Sequence, residues 1–195
     1  MSVKISAVIP VFNGERFLTK TLDSLLNQTF KDFEIICIND ASTDKSLSII
    51  NQYSGRLNLN VIDLKSNLGR VPYIIKTYGI PNVQGQYFTY LSQDDFLSND
   101  CFEQMYNTAR QMNADAVIPD FVFYTGKNSD RKLSGVNGSR DIVLTGPEAF
   151  NLSLDWTIPG AALWDIEIVR ESGYEDFNMF ADEYSIRKFF LKCSK

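Results

Sequence analysis

Residues 87–96, YFTYLSQDDF, run from an aromatic, apolar stretch straight into two adjacent carboxylates. The composition of the first half is that of a buried strand. In an open α/β sheet, ligands collect just beyond the carboxyl ends of the strands, so Asp94 and Asp95 are expected to face a crevice and not the core. Two carboxylates held close repel each other unless a cation lies beside them. A divalent metal is one solution, because Mg²⁺ or Mn²⁺ takes one or two protein carboxylates and completes its shell with water and phosphate oxygens. A solvated turn capping the next helix is the other. The stretch alone leaves both open.

The flanking sequence repeats the same design. Residues 3–10, VKISAVIP, form a short β-branched run of the kind buried on both faces of a parallel sheet, ending at Pro10. Val11 to Glu15 make a turn in which Asn13 is suited to cap a helix, and Phe17, Leu18, Leu22, Leu25 and Leu26 follow at helical spacing. Such a strand, turn and helix presents backbone amides to the crevice, which suits a nucleotide. Residues 33–39 are a second strand, with Asp40 at its carboxyl end and Asp44 in the first turn of the next helix. Asp40 is placed to accept a hydrogen bond from a base or a ribose hydroxyl, or to act as a cap. A third strand covers 59–64, and Pro72 and Pro81 bracket a helical segment in which Arg70 or Lys76 is available to offset diphosphate charge.

Beyond the carboxylates the periodicity predicts a helix over 98–112 and a strand over 116–124, followed by a polar loop or hairpin at 126–140. Thr145 and Pro147 open another helix. Residues 156–164, WTIPGAALW, set two tryptophans around small residues, either to cradle a sugar ring or to pack inside. Asp182 and Glu183 begin a last helix over 179–190, as dipole partners or as functional acids.

The chain of 195 residues suits one domain, and its net charge of −5 argues against nucleic acid as a partner. With no histidine, Ser-His-Asp and Cys-His nucleophiles are excluded, leaving carboxylates for acid–base work. The three cysteines are widely separated, without metal-ligand spacing, and read as thiols in a reducing compartment. No signal peptide or apolar run of bilayer length is evident, so a cytoplasmic protein is expected.

Taken together, AVIPVFNGERFL at 7–18, INDASTDKS at 38–46, NLG at 67–69, GQYFTYLSQDD at 85–95 and ADEYSIRKFF at 181–190 resemble the inverting family 2 glycosyltransferases. The resemblance implies a GT-A fold: a Rossmann-like α/β/α sandwich with a mostly parallel central sheet, 1–97 forming the donor half and 98–195 the acceptor half of one domain. It implies that Pro10, Phe12 and Glu15 wall the nucleotide, that Asp40 reads the base, and that Asp94 and Asp95 hold Mn²⁺ or Mg²⁺ against the diphosphate. Lys76 stands in for an arginine the family carries, and Glu183, with Asp182 beside it, supplies the general base. The partners implied are a nucleotide diphosphate sugar, a UDP-sugar first, and a glycan or lipid-linked acceptor at the cytoplasmic membrane face, in the synthesis of cell-surface polysaccharide.

Three departures stand out. Ser92 replaces the first carboxylate of the acidic motif, the Ala-Arg-Asn segment after NLG is absent, and the late acidic pair is Asp-Glu where Glu-Asp is typical. The chain also stops soon after the last helix, which is expected of a shortened member. A non-catalytic nucleotide-sugar binding domain is therefore a rival reading. A sugar-phosphate nucleotidyltransferase is a weaker one, because VFNGE is neither glycine-rich nor basic.

Overall fold

The computed structural model describes residues 3–124, 131–178 and 180–195. Its centre is a six-stranded sheet of order β3-β2-β1-β4-β8-β5, built from β1 (Ile5–Val11), β2 (Phe33–Asn39), β3 (Leu59–Asp63), β4 (Tyr87–Tyr90), β5 (Ala116–Val117) and β8 (Leu163–Asp165). The first four strands run parallel, with Ile5 opposite both Phe33 and Tyr87. β8 lies antiparallel between β4 and β5. This is the GT-A-like sandwich with a mostly parallel sheet that the motif order implies.

Every residue of β1 and β2 is buried, because helices cover both faces. Alternation along β1 sends Ile5, Ala7, Ile9 and Val11 to one core, with Leu18, Leu22 and Leu25 of α1 (Leu18–Leu26), Ile50 of α2 (Ser46–Gln52) and Phe102 and Met105 of α4 (Cys101–Met112). Val8 faces the second core, where it meets Ile74 of α3 (Val71–Ile74), Val169 of α6 (Ile166–Ser172) and Phe189 and Phe190 of α7 (Ala181–Lys192). Ala149 of α5 (Gly146–Leu154) joins the same cluster. The segment after α3 continues as a π-helical turn, Ile75–Gly79, and a 3₁₀ turn, Ile80–Asn82.

Several local expectations need correction. The strand predicted over 116–124 is two pieces: β5 in the main sheet, and β6 (Phe121–Phe123) in a separate hairpin with β7 (Arg131–Leu133). Pro119 lies between them, where its missing N–H would break a ladder. The first strand does not stop at Pro10 but carries on to Val11, with Pro10 opposite Ile38. Asn13 does not cap α1; it adopts a left-handed φ of 48° and turns its side chain to Thr43. Trp164 is a β8 residue, 2% exposed and packed edge-on against Phe189 and Phe190, so only Trp156 of the tryptophan pair reaches solvent. The Thr145 cap is present with Glu148 as a reciprocal capping box. Residues 125–130 of the polar loop, and Met179 at the head of the last predicted helix, lie outside the described residues.

Candidate active site

The loops that leave β1, β2, β3 and β4 at their carboxyl ends meet in one crevice, and side chains tie them together. Asn13 N–H donates to Ser42 Oγ at 3.0 Å and Gly14 N–H to Ser46 Oγ at 2.7 Å. Glu15 N–H donates to Asp44 Oδ2 at 2.9 Å, and Lys45 N–H returns the bond to Glu15 Oε2 at 3.0 Å. Glu15, which the family resemblance implies as a wall of the nucleotide site, fixes the first loop to the second. Pro10 is buried within β1, whereas Phe12 is 45% exposed at the rim.

Asp40 is 3% exposed, and its two carboxylate oxygens accept the amide hydrogens of Leu68 at 2.7 Å and Gly69 at 3.0 Å. The carboxylate thereby holds the Asn67-Leu68-Gly69 turn against the end of β2. Asp40→Asn turns one acceptor into a donor facing an amide N–H. It should lower stability by about 2 kcal/mol in chemical denaturation, as expected for a buried charged hydrogen bond lost. A residue whose sole task was reading a base would instead lose UDP affinity with its stability unchanged.

The loop after β4 is clamped by a residue the sequence did not single out. The Gln93 side-chain amide accepts from Phe12 N–H at 2.9 Å and donates to Phe12 C=O at 3.1 Å, extending the β1 to β4 neighbourhood past the strand ends. A Cβ on Gly14 would lie 2.5 Å from Gln93 Oε1, so the glycine of the first motif is what admits this clamp. Just beyond it, Ser92 donates to Asp94 Oδ1. Asp94 and Asp95 reach solvent at the crevice. Desolvation and then the neighbouring charge of Asp94 push the Asp95 carboxyl above the usual aspartate range.

Tyr90, the last residue of β4, connects this end of the crevice to the last helix. Burial raises its phenol, a hydrogen bond with Ser92 opposes that, and the charges of Asp182, Asp95 and Asp94 raise it further. Asp182 likewise acts on the buried Tyr174 hydroxyl, which is held well above its ordinary value, chiefly by burial. Glu183 is engaged differently: its Oε2 lies 3.5 Å from Arg187 Nη1 one helical turn on, and its backbone carbonyl accepts from the same nitrogen at 2.9 Å. Lys76 is 3.2 Å from Asp176 and half-exposed, a surface pair of small energetic weight. Arg70 lies over the Tyr73 ring.

The cysteines take no part in this crevice. All are free; burial pushes the Cys37 thiol to about 12 and the Cys193 thiol to about 12, which leaves both unreactive. A larger groove of about 770 Å³ between α4, β5 and the segment 133–144 contains none of the candidate residues. Among the described residues no set of three metal-ligating side chains converges, and no helix is long and apolar enough to cross a membrane. Two adjacent, solvent-reaching carboxylates are nonetheless a donor set that fits a divalent ion when phosphate oxygens and water fill its other positions.

A mostly parallel sheet with its crevice at the carboxyl ends of β1, β2 and β4 is an architecture of the GT-A type. The chain belongs to glycosyl transferase family 2, whose model matches residues 6–163. It is 36% identical over 139 residues to the poly(ribitol-phosphate) beta-glucosyltransferase of Bacillus spizizenii, an alignment covering 70% of this chain and 20% of that protein. The crystal structure of S. aureus TarS 1–349 superposes with a TM-score of 0.84 at 20% identity, covering 99% of this chain and 57% of that one. Its complex with UDP-GlcNAc gives a TM-score of 0.80 at 18% identity, covering 99% and 55%. The Pyrobaculum calidifontis mannosyltransferase in complex with GDP-Man and Mn²⁺ superposes at 0.63 with 14% identity, covering 95% and 51%. The chain thus spans little more than half of these solved chains.

Proposed function

We propose that this chain carries the catalytic centre of an inverting glycosyltransferase that moves a sugar from a UDP-sugar to an acceptor hydroxyl in the assembly of a cell-surface glycan. The observation that carries this reading is the position of Tyr90: it ends β4, just ahead of the acidic loop, and lines one pocket with Asp182 and Glu183 of α7. In this reading residues 1–97 hold the donor and 98–195 face the acceptor. Support for a UDP donor comes from the TarS complex with UDP-GlcNAc, and the glucosyltransferase relative adds glucose as a sugar, so UDP-GlcNAc and UDP-glucose are the first donors to test.

Phe12 lies at the rim where a base would stack; the backbone amides of 12–15, expected from the sequence to meet a nucleotide, are instead taken by the side chains of Gln93, Ser42, Ser46 and Asp44. Asp94 and Asp95 would hold Mn²⁺ or Mg²⁺, a reading supported by the Mn²⁺ complex of the mannosyltransferase. Bound there, the ion supplies charge neutralisation for the diphosphate leaving group. Ser92 orients Asp94 by its hydrogen bond, and Gln93 holds the whole acidic loop to Phe12.

Of the two acids left open by the sequence, Asp182 is the better base. Glu183 is partnered by Arg187, whereas Asp182 lines the same pocket as Tyr90 and its charge acts on that hydroxyl. Asp182 accepts the acceptor hydroxyl proton as that oxygen bonds to the anomeric carbon. The bond from that carbon to the diphosphate oxygen breaks with its electron pair going to UDP, and the configuration inverts. Incubation with UDP-glucose or UDP-GlcNAc, Mn²⁺ and a wall-glycan extract should release UDP and form a product of opposite anomeric configuration by NMR. Retained configuration would overturn the single-displacement mechanism. UDP binding with no turnover across donors would select the non-catalytic rival.

A further inference from the structure

A pocket of about 230 Å³ lies beside the late-helix acids, and we infer that it is a subsite for a pyranose ring of the acceptor, stacked on Trp156 and presenting a hydroxyl to Asp182. The inference rests on the glycosyltransferase reading and adds to it the acceptor class and the residue that selects it. Trp156 and the loop 158–162 line the same pocket as the acids. The loop's glycine and alanines offer a flat apolar surface, while Asp182, Glu183 and the Tyr90 hydroxyl offer hydrogen-bonding groups. Flat apolar walls with a few placed polar groups match a sugar ring, which has C–H faces and a hydroxyl rim.

Trp156 is built as a platform and not as a filler. It is 57% exposed, although a tryptophan in a folded chain is usually well covered. Its backbone adopts a left-handed φ of 63°, a conformation that a bulky residue occupies only under constraint from its surroundings. Those surroundings are visible: Asp155 Oδ1 accepts Thr157 N–H at 3.0 Å, closing a tight turn after α5. Arg187 donates to Ser153 C=O at 3.2 Å and lies 6.0 Å from the Trp156 ring centroid, fixed to α7 through Glu183. Arg187 thus ties the turn that carries Trp156 to Glu183 on α7. Gly160 completes the tie: a Cβ there would lie 2.5 Å from Ile186 Cδ1, so the glycine lets the loop sit directly against α7.

The strain makes the test clean. Glycine accepts φ near 63° without penalty, so Trp156→Gly should fold with a Tm equal to or above that of the parent while losing the ring. Saturation-transfer NMR with methyl β-D-glucopyranoside should show transfer to the ring protons in the parent and in Trp156→Phe, and none in Trp156→Gly. Ribitol, an open-chain polyol, should show none in any of them. In turnover the glycine variant should raise the acceptor KM roughly tenfold or more, with kcat and UDP affinity little changed. Transfer undiminished in Trp156→Gly, absent in the parent at about 50 mM glucoside, or seen with ribitol alone would overturn the subsite. If UDP fails to bind while Trp156-dependent sugar contact persists, the donor reading fails and the subsite stands.

Discussion

Asp182→Asn is expected to lower kcat by roughly 10²–10⁴-fold while UDP binding measured by calorimetry stays within about twofold, because only proton acceptance from the acceptor is removed. Glu183→Gln should cost far less. Its carboxylate sits against Arg187 one turn along α7, and its loss frees Arg187 without removing the carboxylate whose charge acts on Tyr90. A structural role for Asp182 would give a different signature, with stability, UDP affinity and kcat falling together. If Glu183→Gln carries the large loss and Asp182→Asn does not, the assignment of the two acids is reversed.

Asp95→Ala should lower turnover by roughly 10²–10³-fold, as removal of one element of the charge-stabilising apparatus does in other enzymes. The effect should be accompanied by loss of any Mn²⁺ or Mg²⁺ dependence of the residual rate. pH gives an independent check. The Asp95 carboxyl is raised by desolvation first and Asp94 second, so protons compete for it at a higher pH than for an ordinary aspartate. As pH falls through that raised value the carboxylate is lost, and the Mn²⁺ concentration needed for half-maximal rate should climb. In Asp94→Asn the neighbouring charge is gone, and the climb should begin at lower pH.

The parts of the fold that sequence periodicity reached are those held by continuous apolar runs. β1 and β2 are buried at every residue, so their composition alone identified them, and the acids beyond β4 followed from strand polarity. β8 is not legible because three residues carry too little pattern; of the two fates left open for the tryptophans of 156–164, packing inside is that of Trp164. Short α6 escaped for the same reason.

Within the site, the residue types were legible but their partners were not. Asp40 takes its amides from 28 and 29 residues away, and Lys76 meets Asp176 100 residues on, separations that no local spacing announces. The contact between Glu183 and Arg187 was within reach, since an acid and a base four apart on a helix meet. That pairing distinguishes Glu183 from Asp182. Gln93 offered no such signal, because its value lies in matching both backbone groups of Phe12.

Calorimetric titration of UDP into the protein with Mn²⁺ and then with EDTA tests most directly whether the ends of β1, β2 and β4 form a metal-assisted nucleoside diphosphate site. Saturable UDP binding that weakens at least tenfold without metal is the predicted result. Equal UDP binding under the two conditions would contradict the role given to Asp94 and Asp95. No binding of UDP, GDP or dTDP with Mn²⁺ present would contradict the donor site as a whole.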